Sequence, residues 1–435
     1  MAVSRGSLVV AAAIPLLFLH SEFQPSISVA VAGTNVTAYL SDFAVLAVVV
    51  CAAAVLARDG FARLAPGRAL WAWTAAFFVW LAAELLLGRR QTSTYPLSTH
   101  TVTLLKFFEY ALLAPALPVL VRTSRDLLLQ LWSLTLWSCA ATVVGIAEFF
   151  GADVAAKGTV GHRQASFLSS ADFAALSAAV LLVAAIVLGA PQLRLPRPLG
   201  AVAAVSGVLG TIVAGAVASA LGIATALVLL AILLVRARLL SARRVALVGA
   251  IALVTLGGVA TIRGRDLSAF ATFLGASKPT PSETSKVQTY PHRTLLAWFG
   301  YRIWLDHPVF GVGWEGSEEP ANFDRYLAAA HRRFTDVAPT AFPSAAPDRR
   351  YGVQDAWLQA LADLGVVGLV LWVGVFASAL WLALRSPSLV PKLVAAAWIA
   401  LLVWLWTAQG FIAGIPLDAL TWLAFGLAAT RVRDA

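Results

Sequence analysis

A guanidinium meets phosphate oxygens through a planar fork of donors, so arginines gathered at a membrane surface are candidates for holding a phosphorylated lipid. Two stretches of this chain carry such arginines. In Pro291-His292-Arg293-Thr294-Leu295-Leu296-Ala297-Trp298-Phe299-Gly300-Tyr301-Arg302-Ile303-Trp304-Leu305 the apolar residues return at helical spacing, which predicts an amphipathic helix lying on a membrane surface. It stops at Asp306-His307-Pro308, and the Gly311-Val312-Gly313-Trp314 run suits a tight turn. The second stretch, Gly161-His162-Arg163-Gln164-Ala165-Ser166-Phe167, sets Arg163 just ahead of an apolar run. Each arginine also has a plainer reading, a side chain snorkelling to the interface. Convergence on one cavity separates the two readings, because electrostatic stabilisation of an anionic leaving group is usually the largest catalytic contribution.

Other polar groups divide in the same way. Trp298, Trp304 and Trp314 can stack on sugar rings, yet Trp is also the usual interfacial anchor, and anchoring is favoured for at least two of the three. The six histidines show no metal-ligand spacing such as i, i+4 on a helix, so no metal site is expected. Glu84, Lys106, Glu109, Glu148 and Asp172 fall in apolar runs or at their ends, where ionisable groups are functional candidates. Lys106 and Glu109 stand at i and i+3, so a local ion pair is expected between them, while Glu148 and Asp172 are either solvated or cavity-lining.

The elements that must position these residues are membrane helices. Of 435 residues, 60% are hydrophobic and 12% charged, against roughly 45–50% and about 25% in a soluble domain, which excludes the soluble enzyme classes. A bilayer core takes about 20 mainly apolar residues per helix. Such runs lie near 7–21, 40–57, 69–88, 101–121, 127–150, 170–190, 199–216, 218–235, 244–262, 355–384, 389–408 and 412–430, an all-α bundle of about twelve transmembrane helices. Ala214 to Gly222 reads either as a tight hairpin or as a break in one long helix. The net charge of +10 raises nucleic acid as a partner, but the basic residues sit in short runs between apolar segments, as orientation in a bilayer requires, and no nucleic acid is expected. Cys51 and Cys139 both fall in predicted spans, which leaves the outer loop to be held by packing alone.

Orientation follows from those basic runs. With the N-terminus inside, Arg5, Arg58, Arg122, Arg194, Arg236 and Arg385 face the cytoplasm, and the short outer loops keep only Arg89, Arg90, Lys157 and Arg163. Arg263 to Val353 then lies outside. The chain divides into transmembrane helices one to nine over 1–262, a large extracytoplasmic loop with amphipathic helices over 263–354, and helices ten to twelve over 355–435. It shows no internal repeat and no inverted pair of broken helices, which weighs against transport.

Several stretches resemble the bacterial O-antigen ligase and polymerase family of integral-membrane glycosyltransferases. Ala38-Tyr39-Leu40-Ser41-Asp42 is similar to that family's opening, and His162-Arg163-Gln164-Ala165-Ser166-Phe167 followed by Ala171-Asp172-Phe173-Ala174 is similar to its second arginine loop. The fullest match runs from Arg293 through Asp306-His307-Pro308-Val309-Phe310-Gly311-Val312-Gly313. It continues in Gln354-Asp355-Ala356-Trp357-Leu358-Gln359 and Asp363-Leu364-Gly365-Val366-Val367-Gly368. Two positions depart from the pattern. Where ligases of the family carry His-Asn ahead of the tenth helix this chain has Gln354-Asp355, and for a Ser-Arg pair between the seventh and eighth helices the best match is Ser219-Ala220. Gln cannot titrate, which leaves either Asp355 as a substitute base or a polymerase-like or catalytically weak relative.

The resemblance implies a GT-C-like bundle in the bacterial cytoplasmic membrane. It also implies an undecaprenyl-diphosphate-linked glycan as donor, a glycan or lipid-glycan as acceptor, and no cofactor, arginine supplying the positive charge. Arg163 and Arg293 would then stabilise the diphosphate and Asp355 would orient or deprotonate the acceptor hydroxyl, with Arg302, His292, Gln354 and Trp298 contacting substrate. Two other classes stay open. A polysaccharide or lipid transporter would need Glu84, Lys106 or Glu109 deep in the spans, and a non-catalytic glycan-binding relative would account for the absent His.

Overall fold

The computed structural model describes residues 3–31, 34–154, 163–264, 289–335, 337, 339–346 and 350–432. His162, Lys157 and much of the large loop's first third therefore lie outside the described residues. The helices run α1 (Arg5–Leu17), α2 (Leu40–Asp59), α3 (Arg68–Gln91), α4 (Leu97–Ala111), α5 (Leu113–Leu120), α6 (Ser124–Phe149), α7 (Ser170–Gly189) and α8 (Arg197–Ala214). They continue with α9 (Val217–Arg236), α10 (Ala242–Ile262), α11 (Thr289–Asp306), α12 (Pro320–Arg333), α13 (Ala356–Leu384), α14 (Leu389–Leu405) and α15 (Pro416–Ala429). Among the described residues nine stretches are long and apolar enough to cross a bilayer, and α1, α14 and α15 are shorter apolar helices. The apolar runs of the sequence coincide with these elements to within a few residues. Ala214 to Gly222 is a hairpin: α8 ends on Gly215 at φ +60°, a left-handed cap that suits glycine, and α9 begins two residues later.

α7 is apolar all round and sits inside the bundle, with 89% of its span buried, whereas α10 lies at the margin with only 11% of its span covered. Gly207 and Gly210 let the α8 backbone come directly against Leu181 and Ser177 of α7, the close approach that small residues permit between membrane helices.

One element departs from the all-helical expectation. Ser26–Val31 (β1) and Thr34–Tyr39 (β2) pair antiparallel, Ser26 opposite Tyr39. The run is rich in β-branched residues and free of charge, which favours strand over helix.

α13 is broken. Gly365 stands at φ +67° and ψ −170°, a conformation essentially reserved for glycine, and it divides the helix in two. The Gly311-Val312-Gly313-Trp314 run, expected as a tight turn, turns at its end, where Gly316 N–H donates to Gly313 O (2.8 Å), and residues 308–313 ahead of that turn form a strap laid along this break. Val312 N–H donates to Ala362 O (3.1 Å), Gly313 N–H to Asp363 O (2.9 Å) and Val366 N–H to Pro308 O (2.9 Å). Backbone groups released by a broken membrane helix must be satisfied inside the protein, and the strap does so.

The strap also corrects the reading of α11. Its apolar stripe, Leu295, Phe299 and Ile303, is buried against Val312, Phe323, Tyr326 and Val353, so it packs into protein and is not available to lie on lipid. Nor is the loop held by packing alone. Trp314 is fully buried, stacks on Phe107 at 5.8 Å and donates its indole N–H to Thr103 Oγ1 at 3.0 Å. It neither anchors at an interface nor meets a sugar. Beside it His100 Nδ1 lies 2.7 Å from Glu315 Oε2, and His100 Nε2 lies 3.4 Å from Glu319 Oε1, which ties the loop to α4.

Candidate active site

Arg163, Arg263 and Arg293 line one cavity of about 270 Å³ at the end of the bundle where the loop joins it. They arrive from three elements. Arg163 precedes α7, and its neighbour Gln164 donates its N–H to Val213 O (3.2 Å), pinning the segment to the end of α8. Glu148 braces the same segment: its Oε2 accepts the Ser166 N–H at 2.7 Å, while Ser166 Oγ donates to Ala141 O at 2.8 Å. Arg263 caps the C-terminus of α10 through its N–H to Val259 O (2.9 Å). Arg293 comes from the first turns of α11.

Gly215 explains how two of them come together. A Cβ on it would lie 3.5 Å from Arg263 Cδ and 3.6 Å from Arg163 Cγ, so both side chains pass over the α8–α9 turn. Val217, Ala218 and Ser219 also line the cavity. They form the first turn of α9, whose unpaired amides carry the positive end of the helix dipole and favour anions. Ser219 Oγ is buried without a hydrogen-bond partner. Thr407 and Gln409, after α14, form the opposite wall.

Asp355 stands beside this cavity and does not line it. It caps α13, its Oδ1 accepting the N–H groups of Trp357 (3.0 Å) and Leu358 (3.1 Å). Burial pushes its carboxyl above the ordinary carboxylate range, against the downward pull of those two N–H groups and of the Arg293 charge. His292 meets Tyr351 edge-on at 4.9 Å, and Gln354 is half-buried. Arg302 is exposed and Trp298 packs edge-on against Phe299, Tyr326 and Phe334, so neither joins the arginines.

The remaining charged candidates are structural or belong elsewhere. Asp172 sits near the start of α7 and its Oδ1 accepts the Leu417 N–H at 3.1 Å, so it and Glu148 hold backbone instead of lining the cavity. Lys106 does not pair with Glu109: its Nζ lies 2.9 Å from Asp42 Oδ2, because Asp42 at the start of α2 faces α4 across the bundle. Arg263, Thr407 and Gln409 were not singled out by the sequence, and Ser219 stood only as a degenerate match. Arg263 had one legible signal, a cation directly following an apolar span on the side where basic residues are sparse. Among the described residues no three His, Cys, Asp or Glu side chains gather as a metal site.

Apolar spans packed around a buried central helix, with a basic cavity at one end, define a multi-pass helical membrane protein. Residues 202–373 match the model of the O-antigen ligase family. The match takes in Arg263, Arg293 and Asp355, while Arg163 stands ahead of it. No curated protein matches the chain.

Proposed function

We propose that this protein is a membrane glycosyltransferase of the O-antigen ligase or polymerase type. It moves a glycan from undecaprenyl diphosphate to an acceptor hydroxyl at the outer face of the bacterial cytoplasmic membrane. The observation that carries this reading is the meeting of Arg163, Arg263 and Arg293 in one cavity beside the first turn of α9. α1, α14 and α15 join the nine longer stretches as spans, giving twelve in a GT-C-like bundle. The large extracytoplasmic loop of 263–354 then separates helices one to nine (1–262) from helices ten to twelve (355–435).

The acceptor oxygen attacks the anomeric carbon, the bond from that carbon to the diphosphate oxygen breaks, and the diphosphate leaves with the electron pair. Arg163, Arg263, Arg293 and the α9 amides stabilise the charge that accumulates there. Asp355 takes the acceptor proton. Burial raises its proton affinity toward what a general base needs, and Arg293 beside it keeps an ionised fraction. Gln354 and His292, next to Asp355 and Arg293 in the chain, contact the substrate. Arg302 and Trp298 are not among the residues that line the cavity, so they are left out of the proposed donor contacts.

The test is transfer by purified protein supplied with undecaprenyl-diphosphate oligosaccharide and a hydroxyl-bearing acceptor, with products resolved by mass. Lengthened or transferred glycan is expected, and it should be abolished in Arg163→Gln and Arg293→Gln. Wild-type transfer by both variants would overturn the reading.

A further inference from the structure

A second depression lies apart from the arginine cavity. It is a groove of about 590 Å³ between β2, the start of α2 and one face of α4, with Thr37, Ser98 and Thr101 toward its mouth. It continues as a narrower hollow of about 230 Å³ between α2 and the end of α4, walled by Phe43, Leu46, Val49 and Leu112. Ala38, Asp42 and Glu109 line both, so the two form one mainly apolar channel with its few charged groups at the junction. Exposed apolar residues on a spanning helix meet lipid tails in any case, so the trough alone decides nothing.

The charges at the junction decide it. Lys106 Nζ is occupied by Asp42 Oδ2 at 2.9 Å and lies over the Tyr39 ring at 4.5 Å. Asp42 is only 9% exposed, and its other oxygen, Oδ1, is buried without a hydrogen-bond partner. Glu109, half-buried one turn from Lys106, has no hydrogen-bond or ion-pair partner among the described residues. Two carboxylates thus face one ammonium that is already engaged. Ionisable groups at this depth are costly and mark a ligand or a path, and among the described residues the groove offers Lys106 alone against two carboxylates.

We propose that this groove binds a single membrane lipid whose head carries an ammonium, of the phosphatidylethanolamine kind. The ammonium sits against Glu109, beside the Asp42–Lys106 pair, and an acyl chain lies along Phe43, Leu46 and Val49. A lipid with an anionic, amine-free head brings no donor cation and sets its phosphate against the carboxylates. The site is separate from the arginine cavity and does not depend on the reaction assigned there.

The experiment is native mass spectrometry of the full chain released from detergent after exposure to equal amounts of phosphatidylethanolamine and phosphatidylglycerol. Wild type should retain the ethanolamine lipid in preference. Glu109→Gln should weaken that retention about tenfold, the effect of one charge-assisted hydrogen bond, and should raise phosphatidylglycerol retention or leave it level, because a repelling charge is gone. Leu46→Trp fills the trough without touching a charge and should weaken retention as well, which provides a second arm should Glu109→Gln fail to fold. Equal retention of the two lipids by wild type, or undiminished ethanolamine-lipid retention in either folded variant, would overturn the proposal.

Discussion

Replacing Gly365 with Ala tests whether the strap and the broken helix hold each other. A Cβ at Gly365 would intrude on the Val309 carbonyl and the Phe310 amide, and the backbone there is one that L-residues avoid. Holding Ala in that conformation costs about 1–3 kcal/mol. Displacing the strap would also loosen the bonds from Val312, Gly313 and Val366, each contributing about 0.5–1.5 kcal/mol net. Together the loss is roughly 3–7 kcal/mol, a large part of the about 5–15 kcal/mol that holds a domain. Because the strap joins α11 to α13, Arg293 and Asp355 lose their fixed relation, so glycan transfer should fall with stability. Thermal unfolding in detergent, followed through tryptophan fluorescence, and limited proteolysis across Pro308–Arg333 read the effect. Gly257→Ala is the control: its added Cβ meets nothing within 4 Å, and a gain of about 0.5–1 kcal/mol is expected for the helix. A Gly365→Ala protein that melts with wild type and keeps the segment equally protected would refute the reasoning.

Arg263→Gln should lower transfer by about two orders of magnitude, as loss of one donor to a developing anion does, while the KM for the acceptor stays put; an unchanged rate would remove Arg263 from the site. Asp355→Asn should erase the acidic limb of the pH–rate profile, which in wild type lies above the ordinary carboxylate range because of burial; persistence of that limb would assign it to another group. Glu318 offers a stability test, since burial, helped by Glu315 and Asp363, pushes its carboxyl up from 4.5 to about 8. Its stabilising contribution is full below the unfolded value and is lost as pH rises through the folded one, because the unfolded chain ionises first. Wild type should therefore lose more melting temperature than Glu318→Gln between about pH 5 and about pH 8, and parallel losses would exclude Glu318 as the source.

The nine long spans were legible because each is a mainly apolar run of bilayer length, whereas the small residues of the α8–α9 join left a hairpin and a helix break equally open. The strap was not legible. The glycines signalled the turn from local chemistry, but only the distant Gly365 break supplies the backbone groups to which Val312 and Gly313 bond. The α11 stripe misled for a related reason: helical periodicity says that one face is apolar but not whether lipid or Phe323 and Val353 will cover it. Lys106 and Glu109 paired in sequence, yet Asp42 reaches Lys106 from another helix, at 2.9 Å. At the candidate site, Arg163 and Arg293 were found because each belongs to a recognisable stretch. Arg263 terminates a featureless span, and its relevance depends on Gly215 bringing it over the same turn as Arg163.

On the proposed function, the contrast between α7 and α10 bears on how a long-tailed donor gets in. A mast wrapped by neighbours on every side cannot yield without dismantling the core, so any doorway must open at the perimeter. α10, the span with the thinnest contact to its fellows, can swing outward with the least loss of packing, and because Arg263 rides on its tip, such a door would carry part of the phosphate clamp with it.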